Sequence, residues 1–176
     1  MDAQAKGKLS FILGRRSIRT YAPGDVSEET ITTLLEAAMA APSAVAKDPW
    51  RFVVIRNRQT LAAIAEVLPN GKMLTTAAVG MAVCGDLDLA HDRQLSYLLQ
   101  DCSAAIENLL LAVHLLGLGA CWLGVHPREE RVRRIKEILS LPGSVIPVAC
   151  IAVGYPGEVK EPRTRYNREY VHFEKW

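Results

Sequence analysis

The sequence feature that most constrains the fold is a long apolar stripe between residues 95 and 116. Apolar side chains recur there at helical spacing, at Leu95, Leu98, Leu99, Cys102, Ile106, Leu109, Leu110, Val113 and Leu116. This spacing predicts one long helix, because residues three and four apart share a helix face. Leu111 and Leu115 extend the apolar surface around the cylinder. Such a helix must be covered on several sides, and because a small sheet covers only one, a second subunit is the natural further cover.

Shorter patterns on either side of this helix predict the other elements. Apolar runs bounded by turn residues indicate strands at residues 51–55, 79–84, 121–123 and 145–153. Helical spacing indicates further helices after the candidate N-cap Ser27 and at residues 59–68 and 129–139. Strands that alternate with helices predict an α/β or α+β class, with helices packed on a mixed sheet.

The composition limits the possible functions. The 176 residues fit one domain, and residues 1–176 are expected to form it because no linker or repeat interrupts them. A formal net charge of +2 argues against a general nucleic-acid binder, so any anion site must be local. We expect no signal segment and no membrane span, since glycines and His114 interrupt the most apolar run.

The cysteines and histidines do not form a recognisable metal site. Cys84, Cys102, Cys121 and Cys150 lie in apolar stretches without a C-x-x-C pair. They are therefore predicted to be buried thiols rather than zinc ligands or disulfide partners, which fits a reducing cytoplasm. The four histidines have no metal-ligand spacing either, so no bound metal is expected.

Two short basic clusters are the best candidates for an anion site. Residues 15–19 read RRSIR, and residues 163–165 read RTR. Guanidinium groups bind phosphate oxygens in a bidentate manner, and a serine hydroxyl adds a donor. In an extended stretch, Arg15, Ser17 and Arg19 would share one face and Arg16 would point away. A solvated charge run is the competing interpretation, but two such clusters can also converge on one anion.

No side-chain catalytic set accompanies these arginines. The chain lacks a serine nucleophile elbow, and its glycines at 117–124 follow a helix and precede a strand, which is the reverse of the dinucleotide fingerprint. The segment 41–50 joins a helix to a strand through small residues that would let a flat ligand approach the backbone. Anion-binding arginines without a catalytic set favour chemistry supplied by a cofactor.

Taken in order, several segments resemble the nitroreductase family. They are RRSIRTY at 15–21, APSAVAKDPWRFVVI at 41–55, GKMLTTAAVGMAVCGD at 71–86, QDCSAAIENLLLAVHLLGLGACWLG at 100–124, IPVACIAVGYPGE at 146–158, PRTR at 162–165 and VHFEKW at 171–176. The resemblance implies an α+β fold of three-layer α/β/α type, with a mixed, mainly antiparallel sheet flanked by helices. It also implies a homodimer with FMN at the subunit interface and a C-terminal arm exchanged between subunits.

The resemblance also implies a role for each matching residue. Arg15, Arg16, Ser17, Arg163 and Arg165 would hold the phosphate and ribityl end of FMN. Arg19 and Lys72 would lie near the pyrimidine side of the ring, where a cation favours the reduced flavin. Pro42, Ser43 and Ala44 would pack on the ring from the second subunit, and the backbone around Trp122, Leu123 and Gly124 would face its N5 and O4 atoms.

The implied activity is transfer of a hydride from NAD(P)H through FMN to an electron-poor acceptor, such as a nitroaromatic or a quinone. Two departures bear on it, because Ala46 and Asp48 stand where the family usually carries Asn and Gln. They leave open a flavin-binding carrier or sensor without efficient turnover. A small binder of nucleic acid or an acidic partner, using the arginine clusters, is the third reading.

Overall fold

The computed structural model describes residue 7 and residues 9–176. Its α-helices are α1 (Ser10–Gly14), α2 (Glu28–Met39), α3 (Arg58–Val67), α4 (Leu95–Leu115) and α5 (Glu129–Leu139). Its strands are β1 (Tyr21–Ala22), β2 (Trp50–Ile55), β3 (Val79–Asp86), β4 (Gly119–Gly124) and β5 (Val145–Pro156). Short 3-10 turns lie at Ala44–Ala46, Lys72–Thr75, His91–Arg93 and Arg168–Tyr170.

The five strands form one sheet in which β5 is the hub. Strand β5 pairs with β3, with β4 and, through its last two residues, with β1, while β2 forms the far edge beside β3. All of these pairings are antiparallel. The mixed character expected from the sequence is reduced to one isolated parallel bridge between Ser17 and Ala120.

Helices cover both faces of this sheet, as expected for a three-layer fold. Along β3, Val79, Met81 and Val83 belong to the core that α2 and α4 share with the sheet. The intervening Ala82 and Cys84 belong to a second core on the side of α3 and α5. Side chains alternate between the faces of a strand, so a strand that is apolar at every position must have a layer on each side.

Helix α4 is the most enclosed helix of the fold. Its buried positions include Leu98, Cys102, Ile106, Leu109 and Val113, which are at most 1% exposed. It contacts α2 as well as β2, β3, β4 and β5. Towards its C-terminus, however, Leu115 is 71% exposed, so part of the apolar surface remains uncovered in one chain.

Local signals fix the ends of these helices. The side chains of Ser27 and Asn57 accept hydrogen bonds from the backbone N–H groups of Thr30 and Thr60, which caps α2 and α3. Gly117 has a φ of +73° just after α4, a conformation in which glycine carries no steric penalty. Within the described residues, no helix is both long and apolar enough to cross a membrane.

Packing of α4 against β3 leaves no room for a side chain at Gly85. A Cβ there would lie 2.4–2.8 Å from three side-chain atoms of the fully buried Leu98. We expect Gly85→Ala to lower the free energy of unfolding by about 1–3 kcal/mol through overpacking. Urea denaturation at fixed protein concentration measures this, with Gly143→Ala as control because its Cβ would meet nothing within 4 Å. Equal midpoints for the two variants would contradict the packing described here.

Candidate functional site

The two basic clusters are brought together along one line of contacts. Residues 157–163 run antiparallel to residues 13–20, starting where the backbone N–H of Gly157 donates to Thr20 at 2.8 Å. Lys160 Nζ donates to the carbonyl of Ser17 at 2.9 Å, and Arg16 donates to the carbonyl of Glu161. At the far end, the backbone N–H of Arg163 donates to Leu13 at 3.3 Å. The chain thus folds the segment that leads into its second arginine cluster back along the first cluster, and Arg163 lies where this contact ends.

Glu158 holds the middle of this contact. Its carboxylate accepts from the backbone N–H groups of Arg19 and Thr20, at 2.6 and 3.2 Å, and pairs with Lys160 Nζ at 3.1 Å. The N–H of Arg19, followed by the Lys160 ammonium, lowers the pKa of this carboxyl below its ordinary value, because both stabilise the charged form. Glu158 therefore fixes the backbone from which the Arg19 side chain projects.

The larger cavity at this edge of the sheet has a volume of about 530 Å³. It is lined by Arg19, Leu68, Pro69, Asn70, Lys72, Met73, Cys121, Trp122, Leu123, Gly124 and Arg131. No carboxylate is among these residues, and none of the three cations forms an ion pair with any described residue. A cavity that combines three cations with apolar side chains favours a ligand that is, or becomes, negatively charged.

Residues 13–20 are called the opening segment. A smaller cavity of about 260 Å³ lies beside its first part, at residues 14–18. Arg15, Arg16 and Lys160 line it, together with Ile18 and Leu110. Arg15 is already engaged there, since its Nε lies 3.3 Å from a carboxylate oxygen of Glu107 in α4. This cavity has the cations for an oxyanion, but the carboxylate of Glu158 also lines it.

The prediction that Arg15 and Arg19 share one face, with Arg16 pointing away, is wrong. Arg15 and Arg16 line the same smaller cavity, whereas Arg19 lines the larger one. The strict alternation of an extended strand does not apply, because this segment joins β4 through a single bridge at Ser17, with the N–H of Ile18 donating to Ala120 at 2.9 Å. The cations therefore divide between the two cavities instead of sharing one face.

Residues Pro42, Ser43 and Ala44 do not reach either cavity of their own chain. They stand at the end of α2, in a loop whose Ala44 N–H donates to the buried carboxylate of Asp101 in α4 at 2.9 Å. Their predicted contact with a flat ring thus requires another copy of the chain.

The cysteines are buried, as predicted, and none forms a disulfide. Burial raises the pKa of Cys84, Cys102 and Cys150 to about 12, because removal from water disfavours the thiolate. Cys121 lines the larger cavity, but burial raises its pKa as well. These thiols are therefore poor nucleophiles, and the chemistry of the site must come from elsewhere.

Sequence reasoning missed several residues that shape the site. Glu158 and Lys160 lie in a segment with no periodic pattern, and their partners are about 140 positions away in the chain. Arg131 lies within a run of charged residues in α5, and Asn70 lies in a turn. Lys160, Asn70 and Arg131 lie outside the segments that resemble the family, and Glu158 is only the last residue of one of them, so the fold is what gives each of them a role.

Comparison with known proteins relates the chain to the nitroreductase family. The family model described as "Nitroreductase family" matches residues 12–70 and 66–155. A Methanothermobacter thermautotrophicus protein to which an NADH dehydrogenase/NAD(P)H nitroreductase activity is attributed is 46% identical over 168 residues, covering 96% of this chain and 87% of its own length.

Two solved structures extend the comparison to the fold. A Parabacteroides distasonis protein with the same attributed activity superposes with a TM-score of 0.91 at 38% identity, covering 97% of this chain and 99% of the other. An FMN-dependent nitroreductase of Clostridium difficile superposes with a TM-score of 0.86 at 27% identity, covering 96% and 99%.

Replacement of Glu158 by Gln tests its role in holding the opening segment. The variant keeps the size of the side chain but loses its charge, so we expect a loss of about 1 kcal/mol of stability at neutral pH, allowing for partial exposure. Because the folded state lowers the pKa of Glu158, its contribution is present above the ordinary glutamate pKa and disappears as the pH falls through the lowered value. The difference in urea midpoint between wild type and variant should therefore shrink below about pH 4.

Glu161→Gln is the matched control, since that side chain makes no hydrogen bond or ion pair with the described residues. A difference between Glu158→Gln and wild type that persists unchanged at low pH would contradict the electrostatic role of Glu158.

Proposed function

The chain belongs to the nitroreductase family, and from this we infer that it is an NAD(P)H-dependent FMN oxidoreductase. Within that activity, we propose that the hydride passes through flavin N5 to an electron-poor acceptor such as a nitroaromatic or a quinone. We further propose that residues 1–176 act as one FMN-binding domain, in a cytoplasmic homodimer.

The observation that carries the proposal is the larger cavity beside β4. Two of its three cations, Arg19 and Lys72, have no ion-pair partner among the described residues, and its wall includes residues 121–124 of β4. At Gly124 a Cβ would meet nothing within 4 Å, so the strand presents open backbone towards the cavity. These features fit the ring of FMN, which is flat and gains negative charge on reduction.

Each group of residues has a distinct part in binding. Arg19 and Lys72 stabilise the negative charge of the reduced ring, and the β4 backbone from Trp122 to Gly124 supports its reacting edge. Arg15, Arg16, Ser17, Arg163 and Arg165 hold the phosphate and ribityl end, and the support for this is that residues 157–163 lie along residues 13–20 and lead the second cluster to the first. Bound FMN supplies the redox chemistry, since it accepts a hydride and passes it on.

The second subunit completes the site in this proposal. Pro42, Ser43 and Ala44 reach the ring from the partner, because their own chain holds them away from it. Residues 158–163 lie along their own chain, so the exchanged arm of this proposal begins at about residue 164. The aromatic side chains beyond that point, Tyr166, Tyr170, Phe173 and Trp176, are 71% to 100% exposed in one chain and need a surface to cover them.

Anaerobic reduction of the FMN-loaded protein tests the activity. We expect a bound flavin spectrum that bleaches when NADH or NADPH is added. In Arg19→Gln, the reduction potential should fall by tens of millivolts, since for a two-electron couple about 30 mV corresponds to about 1.4 kcal/mol. Arg134→Gln is the control, because this exposed arginine lines neither of the two cavities. Failure of the loaded protein to bleach would refute the proposed turnover, and an unchanged potential in Arg19→Gln would refute the role of Arg19.

A truncation after Arg165 tests the arm separately from the phosphate site. It removes the four aromatic side chains but keeps Arg163 and Arg165, so we expect weaker dimerisation in sedimentation experiments with less effect on FMN affinity. The paired variant Arg163→Gln/Arg165→Gln should do the reverse and weaken FMN binding by roughly tenfold or more, given charged hydrogen bonds of about 1.5–3 kcal/mol. A truncated protein as firmly dimeric as wild type would exclude arm exchange.

A further inference from the structure

The third cation of the larger cavity, Arg131, is not explained by FMN binding. It lies in the first turn of α5, is half-buried, and lines the cavity beside Gly124. Its Nη1 donates to the carbonyl of Gly124 at 3.1 Å, which ties the side chain to the end of β4. That bond uses one of five guanidinium donors, so the remaining donors are available at the cavity wall.

Arg131 is not placed there to stabilise its helix. A cation in the first turn opposes the positive end of the helix dipole, so its position is unfavourable for α5 itself. It also lacks an ion-pair partner among the described residues. Glu130 is bound by Arg133 at 2.6 Å, and Glu66 lines a separate groove with Arg131 without pairing with it. A tethered cation without an acidic partner at a cavity wall is a binding group for an anion.

The position of Arg131 indicates which molecule carries that anion. In the proposed function, the end of β4 supports the reacting edge of the cofactor, so a group beside Gly124 belongs to the molecule that reacts there. The 2′-phosphate of NADPH is separated from its nicotinamide by two riboses and a pyrophosphate, so it is remote from the reacting edge. An acidic substituent on a small aromatic acceptor is close to its reducible group.

We propose that Arg131 is a specificity-determining residue that binds a negatively charged substituent, such as a carboxylate, on the electron acceptor. This proposal rests on the proposed function and narrows its substrate class. The enzyme prefers anionic nitroaromatics or quinones over neutral ones of the same shape, and Arg131 provides the preference. The tether to Gly124 holds the guanidinium in place before the acceptor arrives, which reduces the entropy lost on binding.

The test compares 4-nitrobenzoate with 4-nitrobenzamide, which differ in charge but little in shape. We expect wild type to favour the anionic acceptor in kcat/KM, and Arg131→Gln to reduce the ratio of the two values by about tenfold. Arg131→Lys should retain part of the preference because it keeps the charge. The control Arg134→Gln, on the same helix but outside the cavity, should leave the ratio unchanged.

A binding measurement separates this proposal from the proposed function. The dissociation constant of unreactive benzoate, measured by calorimetry on protein with and without FMN, should rise about tenfold in Arg131→Gln and also rise with salt. A chain that takes up no FMN but shows this loss of benzoate binding would refute the proposed function and support the anion site. The proposal would be refuted if wild type and Arg131→Gln had the same affinity for benzoate and the same ratio of kcat/KM for 4-nitrobenzoate to kcat/KM for 4-nitrobenzamide. A change confined to the preference for NADPH over NADH would refute it too, since the anion would then be on the donor.

Discussion

Strand β5 is hydrogen-bonded along both edges, to β3 on one side and to β4 on the other, and its residues from Val148 to Val153 are buried. A strand in that position needs an apolar layer over each face, because its alternate side chains point in opposite directions. Helices α2 and α4 supply one layer, and α3 and α5 supply the other. The three-layer architecture is therefore a consequence of one apolar strand that has no free edge and no free face.

In this arrangement the part of the chain that the structure describes leaves the outer edge of β4 largely unpaired, and the larger cavity lies beside it. Strand β4 pairs with β5 on one side, and on the other side the described residues contribute only the single bridge from Ser17. The opening segment and residues 157–163 close over that edge and carry the basic side chains to it. The near-neutral chain thus places in the larger cavity three cations that have no ion-pair partner among the described residues, and the low-dielectric walls strengthen their effect on a ligand.

The sequence predicted what depends on periodicity and missed what depends on distant contacts. Helices α4 and α5 were predicted within a residue of their observed bounds, because their apolar spacing is long and regular. Strand β1 was not predicted, since Tyr21 and Ala22 become a strand only through pairing with the end of β5. In the same way, Arg19, Lys72 and Gly124 were predicted as site residues because they lie in segments that resemble the family. The roles of Glu158 and Arg131 depend on contacts with Arg19 and Gly124 that exist only in the folded chain.

The loop at residues 43–48 shows how Asp48 changes what the chain can offer a ligand. Val45, Ala46 and Asp48 have φ values of 52°, 52° and 49°, which costs roughly 1–2 kcal/mol for each non-glycine residue. The loop is held in this form by the bond from Ala44 to Asp101 and by Asp48 itself, whose carboxylate accepts from the Ser43 hydroxyl while its N–H donates back to it.

The hydroxyl of Ser43 is thus occupied within its own loop, as donor and as acceptor. Where the family usually carries Gln, the Asp48 carboxylate accepts the hydrogen bond that the Ser43 hydroxyl could otherwise donate to a ligand. In the proposed dimer, the loop would then present mainly the small apolar surfaces of Pro42 and Ala44 to a cofactor ring held by the partner. Its contribution to binding in that dimer would be packing and shape rather than hydrogen bonding, and the cations beside β4 would provide the charged recognition.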